Sequence, residues 1–487
     1  MRTVAGRTDR VVIVGAGLGG LSAALRLVGA GRDVIVVDRA DQPGGRAGRL
    51  DLGGCRFDTG PTVLTMPSLL REALACVDEE LDDWLDLRPV DPAYRAFFPD
   101  GSHLDVIADV DRMAVQVEEV CGAREASGYR RFASFARDLF ELEYATFMNR
   151  NLDSPLHLVT PSLARLVALG GFRRMAPKIA TFFTDPRLRR IFSFQSLYAG
   201  LSPYDALALY CSISYLDTIG GVWFPAGGMH AVPAALADAA QKHGAQLRLG
   251  TEVSRVEMRG QRAVAVHTTE GERIAADTIV LNTDLPTTWR LLDRPPRRLQ
   301  WAPSCVLLLA AVGSEYRGAA HHNLHFGAQW RAPLRELAAG RLMSDPSFLV
   351  SIPTATDPAL APDGQSLLTA LLLVPNLASK LDWDALSPRI RDELWPRLEQ
   401  AGYVGVSSAV EVEHVTTPAD WARQGLAAGT PFSATHRFRQ TGPFRPSNLP
   451  LENVVLAGCG THPGVGIPPV LISGRLAAER IVGAGIR

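Results

Sequence analysis

Apolar and polar positions change period several times along the chain. Arg10-Val-Val-Ile-Val-Gly15 is a short β-branched run with no polar face. Such a run predicts a strand buried on both sides, as in a parallel sheet. After Gly15–Gly20, helical spacing runs from Leu21 to Ala30 and stops at Gly31. Val34 to Val37 predicts a second buried strand that ends at Asp38. From about residue 70 to 220 the pattern is mostly helical, rich in arginine and aromatics. His230 to His243 reads as a helix, with Pro233 tolerated in its first turn and Gly244 closing it. Leu247 to Leu281 holds three alternating runs parted by Arg259-Gly260 and Glu270-Gly271, which predicts a small antiparallel meander. Residues 296–440 are mixed, without a clear period. The chain closes with a strand at Val454–Ala457, a glycine loop and a helix to Ile481.

The expected fold is α/β. A Rossmann-like domain, with a parallel sheet and the meander, is assembled from residues 1–85, 225–295 and 440–487. Residues 86–224 and 296–439 form an inserted α+β domain with a helical region.

Composition narrows the function. The 487 residues are 47% hydrophobic and 21% charged, ordinary for a globular chain of two or three domains. Basic residues number 50 and acidic residues 51, for a net charge of −1, so no global attraction to nucleic acid is expected. The six cysteines, Cys55, Cys76, Cys121, Cys211, Cys305 and Cys459, have wide, irregular spacings. They read as separate thiols, neither a disulfide framework nor a zinc site. No apolar leader precedes Arg10 and no apolar run is long enough to span a bilayer, so a cytoplasmic location is expected.

Gly15-x-Gly17-x-x-Gly20 lies between the first strand and its helix, the context in which this fingerprint binds a dinucleotide. Gly15 permits the tight turn, Gly17 the approach of a pyrophosphate, and Gly20 close packing of helix on strand. The helix N-terminus attracts phosphate. Asp38 is placed for ribose hydroxyls. Gly44-Gly45-Arg46 favours FAD over a nicotinamide, because an arginine there reaches the pyrophosphate. The Gly458–Pro469 loop brings backbone close to something flat or charged, and its helix N-terminus suits the flavin pyrimidine ring. With Pro468 and Pro469 lacking N–H groups, Val470 and Leu471 are the first expected donors there. No P-loop, G-x-S-x-G or H-E-x-x-H occurs. His321-His322-x-x-His325 has no carboxylate beside it and is not expected to hold metal.

Five pieces together carry a resemblance: the fingerprint, Gly44–Gly48, Phe57-Asp-Thr-Gly-Pro-Thr-Val-Leu-Thr-Met66, Gly221-Val-Trp-Phe-Pro-x-Gly-Gly228 and Gly460-Thr-His-Pro-Gly464. They resemble the bacterial phytoene desaturases, a branch of FAD-dependent amine-oxidase-like enzymes. The resemblance runs from residue 10 to the C-terminus. It implies non-covalent FAD, a long hydrophobic polyene substrate, and desaturation by hydride transfer to the flavin. It would place Gly15, Gly17, Gly20, Asp38, Arg39, Gly45, Arg46, Thr59, Gly60, Pro61, Thr62, Gly458, Gly466, Ile467 and Pro468 along the FAD, with Val253 beside the adenine. Cys459 stands where many flavoproteins have aspartate, as is usual in this branch, and Pro469 where glycine is expected. The alternatives on the same fold are a carotene isomerase, a retinoid-type saturase or an amine oxidase. No catalytic residue is assigned, and His462 is expected to be structural.

A lipid substrate implies a membrane surface. Ser162 to Arg190 carries seven basic residues against Asp185 alone, interleaved with leucine and phenylalanine. That composition fits an interfacial helix on anionic lipid. Peripheral binding to the inner face of the plasma membrane, with oxygen or quinone as electron acceptor, is the resulting expectation.

Overall fold

A parallel five-stranded sheet runs in the order Val454–Leu456, Thr278–Leu281, Arg10–Val14, Asp33–Val37, Gln246–Arg248. The computed structural model describes residues 1–316 and 318–484. The first strand is buried on both faces because it feeds two layers. Val11 and Ile13 pack with Val34 and Val36 under helices Leu18–Gly29 and Ile467–Val482. Val12 and Val14 pack with Ile35 and Val37 beneath an antiparallel layer. Where the two helices cross, a Cβ on Gly474 would lie 2.3 Å from the Gly19 carbonyl oxygen, so only glycine fits.

The antiparallel layer has strands Val253–Arg259, Arg262–Thr268 and Arg273–Ala275. This corrects the expected meander at both ends. Gln246–Arg248 and Thr278–Leu281 leave it for the parallel sheet, Thr278–Leu281 as a strand buried on both faces and Gln246–Arg248 as the edge strand beside Asp33–Val37. The first helix also begins earlier than expected, at Leu18, because extended Gly17 serves as its N-cap.

The largest sheet has seven strands: Val410–Thr416, Ser304–Val312, Ser366–Val374, Phe348–Ser351, His322–His325, Tyr94–Phe97 and His103–Val106. Tyr94–Phe97 and His103–Val106 are therefore strands within a stretch expected to be mostly helical. Ser304–Val312 has no polar face. Cys305, Leu307, Leu309 and Ala311 face one core, while Val306, Leu308, Ala310 and Val312 face the helix Trp383–Gln400. An apolar run on both faces leaves no alternation to read.

The expected interfacial helix at 162–190 is three short helices, Pro161–Ala168, Met175–Ile179 and Pro186–Ile191. Gly170, at φ +83°, ends the first of them. Asp185 caps the third through the Arg187 amide at 2.7 Å. No helix among the described residues is long and apolar enough to cross a membrane.

Candidate functional site

A continuous cavity of about 790 Å³ opens between the parallel sheet and the seven-stranded sheet. Its first part is a glycine-lined cradle. Gly15, Gly17, Asp38 and Arg39 line it from the first strand–helix–strand unit. Gly45, Arg46 and the segment Thr59–Thr62 form a second wall, and Val253 closes the end beside Asp38. Gly458, Gly466, Ile467 and Pro468 line it from the C-terminal loop and helix.

Gly20 is the exception among the expected residues, for it does not line the cavity. A Cβ there would lie 2.1 Å from the Gly15 carbonyl oxygen, so its role is helix-to-strand packing alone. Val470 also departs from expectation, because its N–H is bonded to the Gly466 carbonyl at 3.0 Å inside the helix.

The cradle suits a dinucleotide on its own geometry. Helix Leu18–Gly29 has no side-chain cap at Gly17, which leaves its first N–H groups for a phosphate. The Gly44 N–H donates to the Ala16 carbonyl at 2.9 Å and draws the two glycine segments together. Asp38 accepts from the Ala16 amide at 2.7 Å and the Ala40 amide at 2.9 Å, which fixes its carboxylate at the strand end. Arg46 donates to the Cys459 sulfur at 2.8 Å and lies 3.6 Å from Asp284. Its Nε and Nη2 are buried without a hydrogen-bond partner. Buried donors without acceptors are costly, and an anionic ligand here would satisfy them.

Two residues of this wall escaped the sequence reading. Asn282 donates to the Gly15 carbonyl at 3.2 Å, and its side chain also packs on Gly17 and Gly458. Asp284 caps helix Leu285–Leu291, accepts from the Ala427 amide at 2.8 Å and faces Arg46. Both follow strand Thr278–Leu281, so the available signal was the polar Asn-Thr-Asp run after a buried strand.

The most distinctive motifs meet at Asp58. Its carboxylate accepts from the Met229 amide at 2.7 Å and the His230 amide at 3.0 Å, joining Phe57–Thr62 to the 224–230 loop. Burial pushes Asp58 up to about 6 against those two bonds. The His322 ring nitrogens lie 3.1 Å from the Thr62 carbonyl and 3.0 Å from the Ala93 carbonyl; burial pushes the ring down to about 4, so its single N–H donates to one of the two. His321 bonds Thr356 and His325 bonds Tyr403, so the three histidines face separate partners. His462 bonds the Phe147 carbonyl at 2.9 Å, is likewise pushed down to about 4 by burial, and anchors the Gly458–Pro469 loop.

Beyond the cradle the walls become apolar. Cys305, Leu307, Leu349 and Leu371 form a floor from the seven-stranded sheet. Phe140, Phe147, Leu209, Ile213 and Leu216 face them from the helical side. Two acids interrupt this lining, Glu143 and Asp217. Asp217 accepts from the Tyr94 hydroxyl at 3.0 Å and from Tyr198, and burial pushes it up to about 7 against those bonds.

The profile of the flavin-containing amine oxidoreductases matches residues 18–482. The chain is 54% identical over its whole length, and 97% of the relative, to a phytoene dehydrogenase of Streptomyces griseus. It is 36% identical to a zeta-carotene-forming phytoene desaturase of Myxococcus xanthus, over 97% of this chain and 94% of that one. The chain belongs to the bacterial phytoene desaturase branch of the flavin-containing amine oxidoreductases. Putrescine oxidase bound to putrescine has the same fold at a TM-score of 0.63 and 16% identity, covering 98% of this chain and 99% of that one. FAD is the cofactor, and the protein is an oxidoreductase acting on CH–CH groups.

Arg46→Ala is expected to weaken FAD retention by about 10- to 100-fold, the loss of one charge-assisted contact. Flavin content after gel filtration measures this. Unchanged occupancy would remove Arg46 from the pyrophosphate site.

Proposed function

We propose that the enzyme introduces carbon–carbon double bonds into phytoene or a closely related acyclic polyene. The observation that carries this reading is the long apolar cavity continuous with the flavin cradle. A polyene offers no charge for a protein to grip, and such a cavity excludes water from the reacting carbons. When bound, FAD supplies the hydride acceptor for an allylic C–H bond. The chain's own residues bind and orient. Leu307, Leu349 and Leu371 form one wall for the polyene, and Ile213 and Leu216 the other. Gly15, Gly17, Asp38, Arg39, Gly45, Arg46, the Thr59–Thr62 segment, Val253, Gly458, Gly466, Ile467 and Pro468 hold the cofactor in this reading. Oxygen or a membrane quinone removes the electrons.

The test is absorption of the FAD-loaded enzyme with phytoene-bearing liposomes, followed by pigment extraction. Red-shifted polyene bands are expected, and their positions count the new double bonds. A flavin-replete enzyme that leaves phytoene and related polyenes unchanged would overturn the reading.

The cavity's outer end suggests how a lipid reaches it. Leu158, Leu163, Phe172, Phe438 and Phe444 line that end. Of these Phe438 is 53% exposed, and nearby in sequence Leu156 is 77%, Val159 74% and Val167 57% exposed. Exposed apolar side chains ringed by arginine suit an anionic bilayer. Not all the expected charges take part. The Lys178 ammonium lies 4.4 Å from the Phe135 ring centre, and Arg187 is paired with Asp185 at 2.8 Å. Arg190 donates to the Gly327 and Ala328 carbonyls. Arg165, Arg173 and Arg174 remain exposed, Arg174 while also donating to the Asp205 carbonyl. In this reading the enzyme docks by this rim on the cytoplasmic face of the plasma membrane. Replacing Arg165, Arg173 and Arg174 by glutamine should lower binding to anionic liposomes at least about tenfold at low salt. Equal binding would move the docking face elsewhere.

A further inference from the structure

Desaturation removes two hydrogens from adjacent carbons, and nothing described so far takes the second. The cavity wall offers two acids, and they differ. Both Asp217 hydrogen-bonding partners, Tyr94 and Tyr198, are tyrosine hydroxyls that hold it in place. Glu143 is buried, and its Oε1 has no hydrogen-bond partner. It is the last residue of helix Ala123–Glu143, where a π-helical turn, Tyr144–Met148, takes over. Such turns re-aim side chains and recur at functional sites. This one also carries Phe147, whose carbonyl holds His462 of the flavin loop. A carboxyl oxygen left unpaired in an apolar wall is expensive unless it has a task.

We infer that Glu143 is the proton acceptor of the desaturation, resting on the functional reading above. In the step, one allylic C–H bond breaks and its hydrogen leaves with both electrons to FAD, which is reduced as the polyene is oxidised. The neighbouring C–H bond breaks, its electron pair becomes the new π bond, and its proton passes to the ionised Glu143 carboxylate. The proton goes on to water before the next turnover.

Burial pushes Glu143 up to about 8, against a smaller opposing pull from the Ser212 hydroxyl. The carboxylate is thus a strong base when ionised, and the acid it becomes is at home in the cavity. The facing titratable groups are Tyr210 and Cys211, with Lys178 beyond Cys211. Burial pushes Tyr210 and Cys211 well above their ordinary values, so neither changes charge near pH 8. Asp217, the other acid of the wall, is the comparison for the test.

The experiment uses FAD-loaded wild type, E143Q and D217N with phytoene. Two quantities are read: the anaerobic rate of flavin bleaching against pH, and the infrared carbonyl band of protonated carboxyls without substrate. The wild-type rate should rise as pH rises through about 8. E143Q should bleach at least about 100-fold more slowly and without that rise, while retaining phytoene on gel filtration. A carboxyl band that titrates over the same pH range should be present in wild type and missing in E143Q. D217N should keep the pH rise. The inference is overturned if E143Q bleaches within about threefold of wild type with the same profile, if D217N removes the rise instead, or if the infrared band survives in E143Q. Should E143Q fail to retain phytoene, the residue positions substrate and the inference also falls. A wild type that no polyene bleaches would overturn the functional reading itself, which the first arm detects separately.

Discussion

Gly60→Ala should leave a protein that no longer retains FAD. A Cβ at Gly60 would lie 1.8 Å from the Arg46 carbonyl oxygen and 2.9 Å from its carbon. Both are backbone atoms, so no side-chain rotation relieves the overlap, and one of the two segments that build this wall must shift. Neither shifts freely. The Thr59 amide donates to the Gly48 carbonyl at 3.0 Å, Asp58 is held by two amides, and the buried His322 ring abuts the Thr62 carbonyl. On the other side Arg46 is held by Cys459 and Asp284. An overlap of this kind costs about 4 kcal/mol, which is about 1,000-fold in affinity when it falls on the ligand site. Thermal-shift titration with FAD reads this directly, because a ligand of the folded state raises its melting point by mass action. Wild-type saturation would mean that Thr59–Thr62 yields without disturbing the cradle.

The same segment explains what was legible in the sequence. Cofactor sites are built from backbone approaching a ligand, and backbone approach demands glycine. Gly15, Gly17, Gly45 and Gly458 therefore mark a backbone cradle in the sequence itself, and the β-branched run 10–14 marks the sheet beneath it. The polar residues that lock the cradle were not legible. Asn282 and Asp284 act only because strand Thr278–Leu281 sits beside strand Arg10–Val14, a pairing across more than 260 residues. Strand Ser304–Val312 was hidden for a different reason, since a core on each face erases the period of two. The basic stretch 162–190 was legible only as composition, because charge counts do not reveal which arginines are spent on carbonyls and carboxylates inside the fold and which stay exposed. Glu143 was invisible because one of three glutamates in a 21-residue helix looks the same whether it faces water or a cavity; only the helix's placement decides.

Arg480→Met should destabilise the protein by about 3–5 kcal/mol, the cost of breaking a buried ion pair by removing one partner. The Arg480 side chain is fully buried and lies 2.6 Å from Asp153. It also donates to Asn448 at 3.0 Å and to the Arg2 carbonyl at 2.6 Å. Asn448 in turn donates to Asn151 at 2.6 Å, and Asn151 to the Leu476 carbonyl at 3.1 Å. The network ties the C-terminal helix to the segment 149–153, and that segment continues the turn whose Phe147 carbonyl anchors His462. Losing it should therefore lower flavin retention together with melting temperature. Burial pushes Asp153 up, but the Arg2 amide and Arg480 hold it below the usual carboxylate range. Its stabilisation is present above the ordinary carboxylate pKa and lost as pH falls through the lowered one. In Arg480→Met that acid loss should begin at higher pH. Replacing Asp153 by leucine in the same protein should restore more than half of the lost stability, because no uncompensated charge then remains in the interior. A single variant within about 1 kcal/mol of wild type would show that water reaches Asp153 and replaces the guanidinium.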